Sequence, residues 1–367
     1  MKVLQLSKFF PPVFGGVEQV AWDISDGFDN MYSTPIDVLC VNDKNLNEND
    51  GVNYKILRSA TIGVLFSTPI SFSFINKWRR IRNNYNIIHV HLPNPLAVLA
   101  LFLFRTEAKI VLHWHSDIVK QKKLLRLFRP LQNWILARAD KIIVTSPVYG
   151  ESSNCLRHVQ SKIECIPIGI DERRFDENYT FLSTLQKKYK GKKIVFSLGR
   201  LIYYKGFEYL IDAARELPDN IVILIGGKGE LLESLRKKII DNELNHKVVL
   251  LGGIPSEALD SYYQLCDVFC LPSIHESEAF GVVQLEAMRH AKPLISTKIP
   301  KSGVSWVNQN QETGIVVEPC DSSALAKAII TILQGNNNFG HNAEKRFLTM
   351  FTKKLMIHKL HTLYRSL

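Results

Sequence analysis

Apolar positions along the chain keep two rhythms in alternation. Short runs rich in Val, Ile and Leu have the length of a buried strand. Longer segments follow them, with apolar residues every three or four positions, as on one face of a helix. In the first half the runs predict strands at 3–6, 36–40, 87–91, 109–113, 141–144 and 162–166, with helices at 17–28, 72–82, 95–104 and 124–137. From 167 to 191 the rhythm breaks; the stretch is charged, and Gly169 and Asp171 supply turn chemistry. It then restarts, with strands at 194–198, 221–226, 248–251, 268–271 and 293–297 and helices at 207–216, 231–242, 256–265 and 282–290. Such alternation predicts an α/β fold: two doubly wound parallel-sheet units joined by a linker. Ligands of such sheets bind outside the carboxyl ends of the strands, so the cleft between the halves is the expected site. Phe347, Met350, Phe351, Leu355, Ile357, Leu360 and Leu363 have helical spacing, predicting a last helix over 343–367 that packs back on the first domain. The domains are thus expected at 1–172, with that helix, and at 190–342.

Length supports two domains, because 367 residues exceed the roughly 100–200 of one core. A net charge of +11, from 46 Lys+Arg against 35 Asp+Glu, favours anionic partners without choosing among them. Cys40, Cys155, Cys165, Cys266, Cys270 and Cys320 form no Cys-x-x-Cys pair and have no His at zinc-ligand spacing, so free buried thiols in a reducing cytosol are expected. The first residues lack the apolar core of a signal peptide, and the longest apolar run, 95–104, is about half of what spans a bilayer. A cytoplasmic protein that can sit on a membrane is the expectation.

Four stretches carry chemistry. Glu278 precedes a predicted helix and Glu286 lies within it, eight residues on; a helical path of that length spans ~12 Å, about the reach from ribose to hexose of a nucleotide sugar. The helix start between them, near Phe280, Gly281 and Val282, offers unsatisfied N–H groups to a diphosphate. In isolation, two solvated glutamates on an amphipathic helix would be the commoner explanation of such a pair. Gly199-Arg200 and Lys205-Gly206 follow the second unit's first strand, where fixed cations could stabilise a leaving phosphate. Gly15-Gly16-Val17-Glu18 opens the first helix, and paired glycines let a ligand approach the backbone. His113-Trp114-His115 ends a strand, as do His89 and His91, which are expected to line the acceptor side.

Together these motifs resemble the retaining glycosyltransferases of family 4, with two Rossmann-like domains in the GT-B fold; the resemblance runs from Lys8 to about Leu333. Glu278 and Glu286 match its Glu-x7-Glu signature. The resemblance implies that Glu278 contacts the transferred sugar and Glu286 the ribose, with the amides of Phe280, Gly281 and Val282 on sugar and phosphates. It implies a diphosphate clamp from Arg200 and Lys205, a sugar or phosphate loop at Gly15 and Gly16, and a sugar-hydroxyl contact from His115. His113 is the other candidate for that contact. Gly227 and Ile254 fall in loops similar to those near the nucleotide base, although Lys228 stands where the family has an acidic residue. Implied catalytic residues are therefore His115, Glu278, Arg200 and Lys205. The family is thought to use the leaving phosphate as base, and neither a metal nor a cofactor is expected beyond the donor, of GDP-mannose or UDP-hexose type. The implied acceptor is a lipid-linked oligosaccharide of lipopolysaccharide O-antigen or capsule biosynthesis.

The segment 118–138 carries Lys120, Lys122, Lys123, Arg126, Arg129 and Arg138 among apolar residues and no acid after Asp117. It reads as a face for the anionic inner-membrane surface or as a solvated basic face, with both open. Other readings are a nucleotide-sugar 2-epimerase or an inverting transferase of similar fold, and a catalytically dead sugar-binding relative. A basic nucleic-acid-binding protein is disfavoured because paired glutamates repel a phosphate backbone and no aromatic-basic motif is present, so no nucleic acid is expected.

Overall fold

The computed structural model describes residues 1–13, 15–42, 52–65, 68–117, 122–172, 179–335 and 338–367, with the backbone alone for 122–127. It contains two compact units, Met1–Ile168 with Lys353–Leu367, and Gly169–Thr352. Among the described residues no helix is long and apolar enough to cross a membrane.

The first unit is built on strands β1 (Val3–Leu6), β2 (Ile36–Asn42), β3 (Ile56–Ala60), β6 (Ile87–Leu92), β7 (Lys109–Trp114), β8 (Lys141–Val144) and β9 (Ile163–Cys165). They pair in parallel in the order β3-β2-β1-β6-β7-β8-β9, and a separate hairpin joins β4 (Gly63–Leu65) to β5 (Thr68–Ile70). Helices α1 (Gly16–Tyr32), α2 (Phe72–Ile81), α3 (Pro95–Leu103), α4 (Lys122–Arg138) and α5 (Pro147–Ser152) make the crossovers. Local chemistry fixes several starts: the Ser71 and Asn94 side chains accept from Phe74 N and Ala97 N, and Pro95 stands at the first position of α3. Buried on both faces, the strands read as near-continuous apolar runs.

In the second unit β10 (Lys193–Leu198), β11 (Ile221–Gly226), β12 (Val248–Gly252), β13 (Val268–Leu271), β14 (Leu294–Thr297) and β15 (Gly314–Val317) pair in parallel as β12-β11-β10-β13-β14-β15. Its helices are α6 (Tyr179–Lys188), α7 (Phe207–Ala213), α8 (Leu232–Asp241), α9 (Ser256–Leu265), α10 (Val283–Arg289), α11 (Val304–Val307), α12 (Ser322–Gln334) and α13 (Phe339–Met350). Strand side chains alternate between faces: Val195, Ile223, Val268 and Ile295 pack with α7 and α12, while Phe196 and Phe269 pack with Tyr263 of α9. In each unit the first strand has neighbours on both sides, so the winding reverses beside it. That reversal leaves a notch at the strand ends, where polar loops can diverge without burying unpaired backbone.

Two expectations are corrected. The charged stretch at 167–191 contains α6, seated by the Phe181 ring against Tyr262 with centroids 5.8 Å apart. The tail is two helices rather than one: α13 ends at Met350, Ile170 N donates to Phe351 O at 3.0 Å, and α14 (Lys353–Arg365) starts afresh in the first unit. There α14 packs on α1, with the Phe28 and Tyr364 rings 5.4 Å apart and Lys353 Nζ 2.5 Å from Asp26 and 3.4 Å from Asp23. A Cβ on Gly27 would lie 2.6 Å from Ile357 Cγ1, so α14 sits as close to α1 as a glycine permits. Gly27→Leu is expected to unseat α14 and destabilise the protein by about 1–3 kcal/mol, read as a fall in Tm; an unchanged Tm would place the helix elsewhere.

Candidate functional site

The notch of the second unit lies between the ends of β10 and β13. The loop after β10 runs from Gly199 to Gly206; the loop after β13 runs from Pro272 to Gly281. Backbone contacts hold them together. Ile274 N donates to Tyr204 O at 2.8 Å, and Gly206, at φ +66°, lies so close to Pro272 that a Cβ would fall 2.1 Å from its carbonyl oxygen. Only glycine serves there, since it tolerates a positive φ and has no Cβ to collide.

The predicted Lys205 and Glu278 meet in this notch. Lys205 Nζ stands 2.6 Å from Glu278 Oε2, and the side chains keep only 10% and 11% of their exposure. Ser273 Oγ donates to the same oxygen at 3.0 Å. The loop backbone is pinned in turn, with Ser302 Oγ donating to Glu278 O and Gly303 N to Ala279 O. Solvated glutamates are therefore excluded at Glu278. Arg200 is exposed at the mouth of the same loop.

Glu286 lies on α10, partly buried, and accepts from Tyr263 Oη at 2.6 Å. Burial pushes its carboxyl above the usual carboxylate range, opposed by that hydrogen bond and by Arg289. Asp260 Oδ1 accepts from Arg289 at 3.0 Å and faces His290 Nε2 at 2.9 Å, which ties α9 to α10. At the start of α10, Gly281 has φ +76° and Gln284 Nε2 donates to Phe280 O and Val304 O, both at 3.3 Å. The Phe280 side chain is buried, leaving its backbone as the part near the notch, beside Val282. Gly227 has φ +141°, and a Cβ there would come 1.8 Å from Gly199 O; Ile254 packs over Gly226. These two positions thus shape the neighbouring loops through close packing.

In the first unit Gly15 precedes α1, and a Cβ on it would lie 2.3 Å from Glu18 Oε2, whereas Gly16 has open space around it. Burial raises the Glu18 carboxyl and lowers the Lys8 ammonium, and each is partly held in its charged form by the other. His115 follows β7 and is 7% exposed. His113 is fully enclosed. His89 and His91 are also enclosed, at 0% and 1%, so they do not line an acceptor surface; they belong to the sheet interior.

Those four imidazoles and Gln5 occupy one face of β1, β6 and β7, because Gln5 pairs with His89 and His91 with His113 in register. His89, His91 and His113 offer ring nitrogens within 4.8 Å of one another. A tetrahedral zinc with 2.0–2.1 Å bonds would draw its ligands to about 3.3 Å apart. Here the nitrogens are instead paired: His89 with Tyr364 Oη at 2.6 Å and His113 at 3.3 Å, and His91 with His115 at 3.0 Å and Gln5 at 2.6 Å. The cluster is a hydrogen-bonded lattice. Sequence reading missed Tyr263, Ser273, Ser302, Gln5 and Tyr364; a polar residue at every second position of an otherwise apolar strand was the available signal for the histidine row.

Comparison with known proteins adds the following. The model described as Glycosyltransferase Family 4 matches residues 14–174, and that described as Glycosyl transferases group 1 matches 181–346. The chain is 33% identical to the O-antigen chain mannosyltransferase C of Escherichia coli over 100% of its own length and 99% of that protein. It is 30% identical to the D-rhamnosyltransferase WbpZ of Pseudomonas aeruginosa, covering 96% and 92%. Among solved structures, Anabaena Alr3699/HepE in complex with UDP superposes with a TM-score of 0.79 at 19% identity over 100% of both chains. Sucrose-phosphate synthase of Thermosynechococcus elongatus does so at 0.79 and 22%, covering 100% and 98%.

The packing at Gly206 can be checked directly. Gly206→Ala is expected to cost about 1–3 kcal/mol and to part the two loops, seen as a lower Tm. A variant as stable as wild type would mean that the loops are not in contact there.

Proposed function

This chain belongs to glycosyltransferase family 4, with the GT-B fold, and from that premise we propose that it moves a manno-configured hexose from a GDP-linked donor to a lipid-linked oligosaccharide of O-antigen synthesis, with retention at the anomeric carbon. The observation that carries the reading is the Lys205–Glu278 pair at 2.6 Å in the notch between β10 and β13. A lysine and a glutamate paired ahead of a helix start suit a ligand with a pyrophosphate at one end and hydroxyls at the other.

On binding, the donor pyrophosphate takes Lys205 and Arg200 as counter-charges, and Glu278, released from the lysine, accepts from sugar hydroxyls. As the bond from the anomeric carbon to the diphosphate oxygen breaks, negative charge grows on that oxygen, and the two fixed cations stabilise it. These side chains do the work that a metal ion does elsewhere, so no metal or further cofactor enters the proposal. The acceptor hydroxyl attacks on the face from which the diphosphate departs, and the departing phosphate oxygen takes its proton. Glu286 holds the ribose, backbone groups at Phe280, Gly281 and Val282 meet sugar and phosphates, Gly227 and Ile254 border the base, and Gly15 and Gly16 admit donor oxygens. His115 meets a hydroxyl of the donor sugar.

The manno configuration is supported by the names of the relatives, a mannosyltransferase and a D-rhamnosyltransferase, which handle sugars of that stereochemistry. Work at the inner face of the cytoplasmic membrane is supported by the first unit's surface. Leu99, Phe102 and Leu103 of α3 are exposed, and the Phe102 ring meets Trp134 of α4 at 5.2 Å. On α4 Arg129 is exposed, while Lys120 and the side chains of Lys122, Lys123 and Arg126 lie outside the described residues.

Glu278→Gln and Lys205→Met should each lower kcat by ~100-fold or more, with the fold retained by circular dichroism; near-wild-type rates in either would remove the site. GDP should raise Tm more than UDP or ADP, and NMR of the product should show the donor's anomeric configuration; an inverted product ends the retaining mechanism. Flotation with liposomes should carry the protein when acidic lipid is present and fail with neutral lipid. Equal behaviour in the two would end the membrane reading.

A further inference from the structure

The histidine row in the first unit has a direction of hydrogen bonding that the heavy-atom positions determine. Gln5 Nε2 lies 3.0 Å from Ala21 O and 2.7 Å from Ser25 Oγ. A backbone carbonyl only accepts, so the atom facing it is the amide nitrogen, and the orientation of the Gln5 amide is settled. Ser25 Oγ in turn gives its hydrogen to Ile36 O at 3.0 Å, so it is free to accept from Gln5. The other end of the amide, Oε1, then faces His91 Nε2 at 2.6 Å. An amide oxygen cannot donate. His91 Nε2 must therefore carry the hydrogen.

A neutral imidazole has one N–H and one lone pair. His91 is held neutral, since burial drives it well below its usual range and His89 and His115 push the same way. Its Nδ1 is consequently a lone pair, facing His115 Nε2 at 3.0 Å. For that contact to be a hydrogen bond, His115 Nε2 must donate. Burial likewise lowers His115, to about 3, so it too has a single hydrogen, and its Nδ1 is left bare.

We propose that Gln5 and His91 are positioning residues that fix His115 as its Nε2–H tautomer, so that Nδ1 is presented solely as a hydrogen-bond acceptor for a hydroxyl of the donor sugar. The assignment of a sugar contact to His115 rests on the proposed function; the tautomer does not. The chemical consequence is selective. A hydroxyl can donate to a bare Nδ1, whereas a group with lone pairs and no hydrogen is repelled by it. In free imidazole the two tautomers interchange through water, but Gln5 is fully buried and its partners Ala21 and Ser25 belong to α1, so the preference is built into the packing of β1 against that helix.

The test uses the full-length protein labelled with 15N-histidine and long-range 1H–15N correlation, which distinguishes Nε2–H from Nδ1–H. Signals of His115 are identified by their loss in His115→Ala. In the wild type His91 and His115 should both appear as Nε2–H across neutral pH. In Gln5→Leu the acceptor is gone, and His115 should become a mixture of tautomers or Nδ1–H. kcat should then fall roughly 2–10-fold, the worth of one net hydrogen bond, while KM for the acceptor stays near the wild-type value. Wild-type His115 as Nδ1–H, or as a doubly protonated ring, overturns the proposal, and that spectrum decides whether or not Gln5→Leu folds. A folded Gln5→Leu that keeps pure Nε2–H overturns it as well. If instead His115→Ala is fully active while the tautomer is as stated, the fixed tautomer stands and the sugar contact falls.

Discussion

The Lys205–Glu278 ion pair is the constraint around which the second unit is arranged. Two charges with side chains about 10% exposed have given up most of their water, and such a pair stays ionised only if its geometry is good and its remaining hydrogen-bonding capacity is met. Those conditions explain the surroundings. Ser273 supplies a second donor to the carboxylate, and Ser302 and Gly303 fix the loop that carries it. Gly206 lets the lysine loop lie against Pro272. None of these contacts adds much stability in itself. Together they place opposite charges in a low-dielectric notch without allowing either to relax toward solvent, and for a reaction that transfers negative charge to a phosphate this is the useful state.

The notch exists because of how the sheet is wound. A first strand flanked on both sides by later strands forces successive crossovers to opposite edges, so the loops leaving β10 and β13 part company. That much was legible in the sequence. Buried parallel strands are short apolar runs, and those at 3–6, 141–144, 221–226 and 268–271 coincide with the observed elements. Elements that the pattern missed share a physical reason. In β3 the buried Arg58 and Ser59 interrupt the apolar run, and β15 is a four-residue strand that begins with a glycine packed on Leu294 O. In α6 only Leu185 is buried, so its period is faint. By contrast α12, with Asp321 capping Ala324 N and Leu325, Ala328, Ile329 and Ile332 buried, has a helical period that is readable in the sequence. The stop at Phe351 had no local signal, because it comes from pairing with Ile170, 181 positions earlier in the chain.

Site residues divide along the same line. Glu278 and Lys205 could be found from motif and position, since each lies in the loop that follows a predictable strand. What could not be found was that they face each other, or that Glu286 leans on Tyr263, because those partners come from strands and helices far apart in sequence. His89 and His91 were expected at the acceptor surface and lie inside the sheet: taken singly, a His that ends a strand in solvent looks the same in sequence as one that points inward near the middle of a sheet. Their spacing did contain the answer. His89 and His91, then His113 and His115, each repeat at the two-residue period of a strand, and two adjacent parallel strands with that pattern bring four rings to one face.

The histidine row of the first unit and the notch of the second thus solve the problem of a buried polar group in opposite ways. In the second, charge is retained by giving each ion a counter-ion. In the first, charge is removed: burial lowers His89 and His115 to about 3 and His91 and His113 well below the usual range, so each ring must find one donor and one acceptor to be satisfied. A row of neutral imidazoles can meet that demand only if every ring points its N–H the same way along the row. One buried amide at its end therefore sets all the hydrogens of its branch, as Gln5 does for His91 and His115. The branch from Tyr364 through His89 to His113 has no such anchor, and among the described residues His113 Nε2 finds no partner at all. Of the two branches, the one that ends at the sheet's rim is the one whose polarity is fixed, and the unanchored branch ends inside the protein, where no ligand would sense which way its hydrogens point.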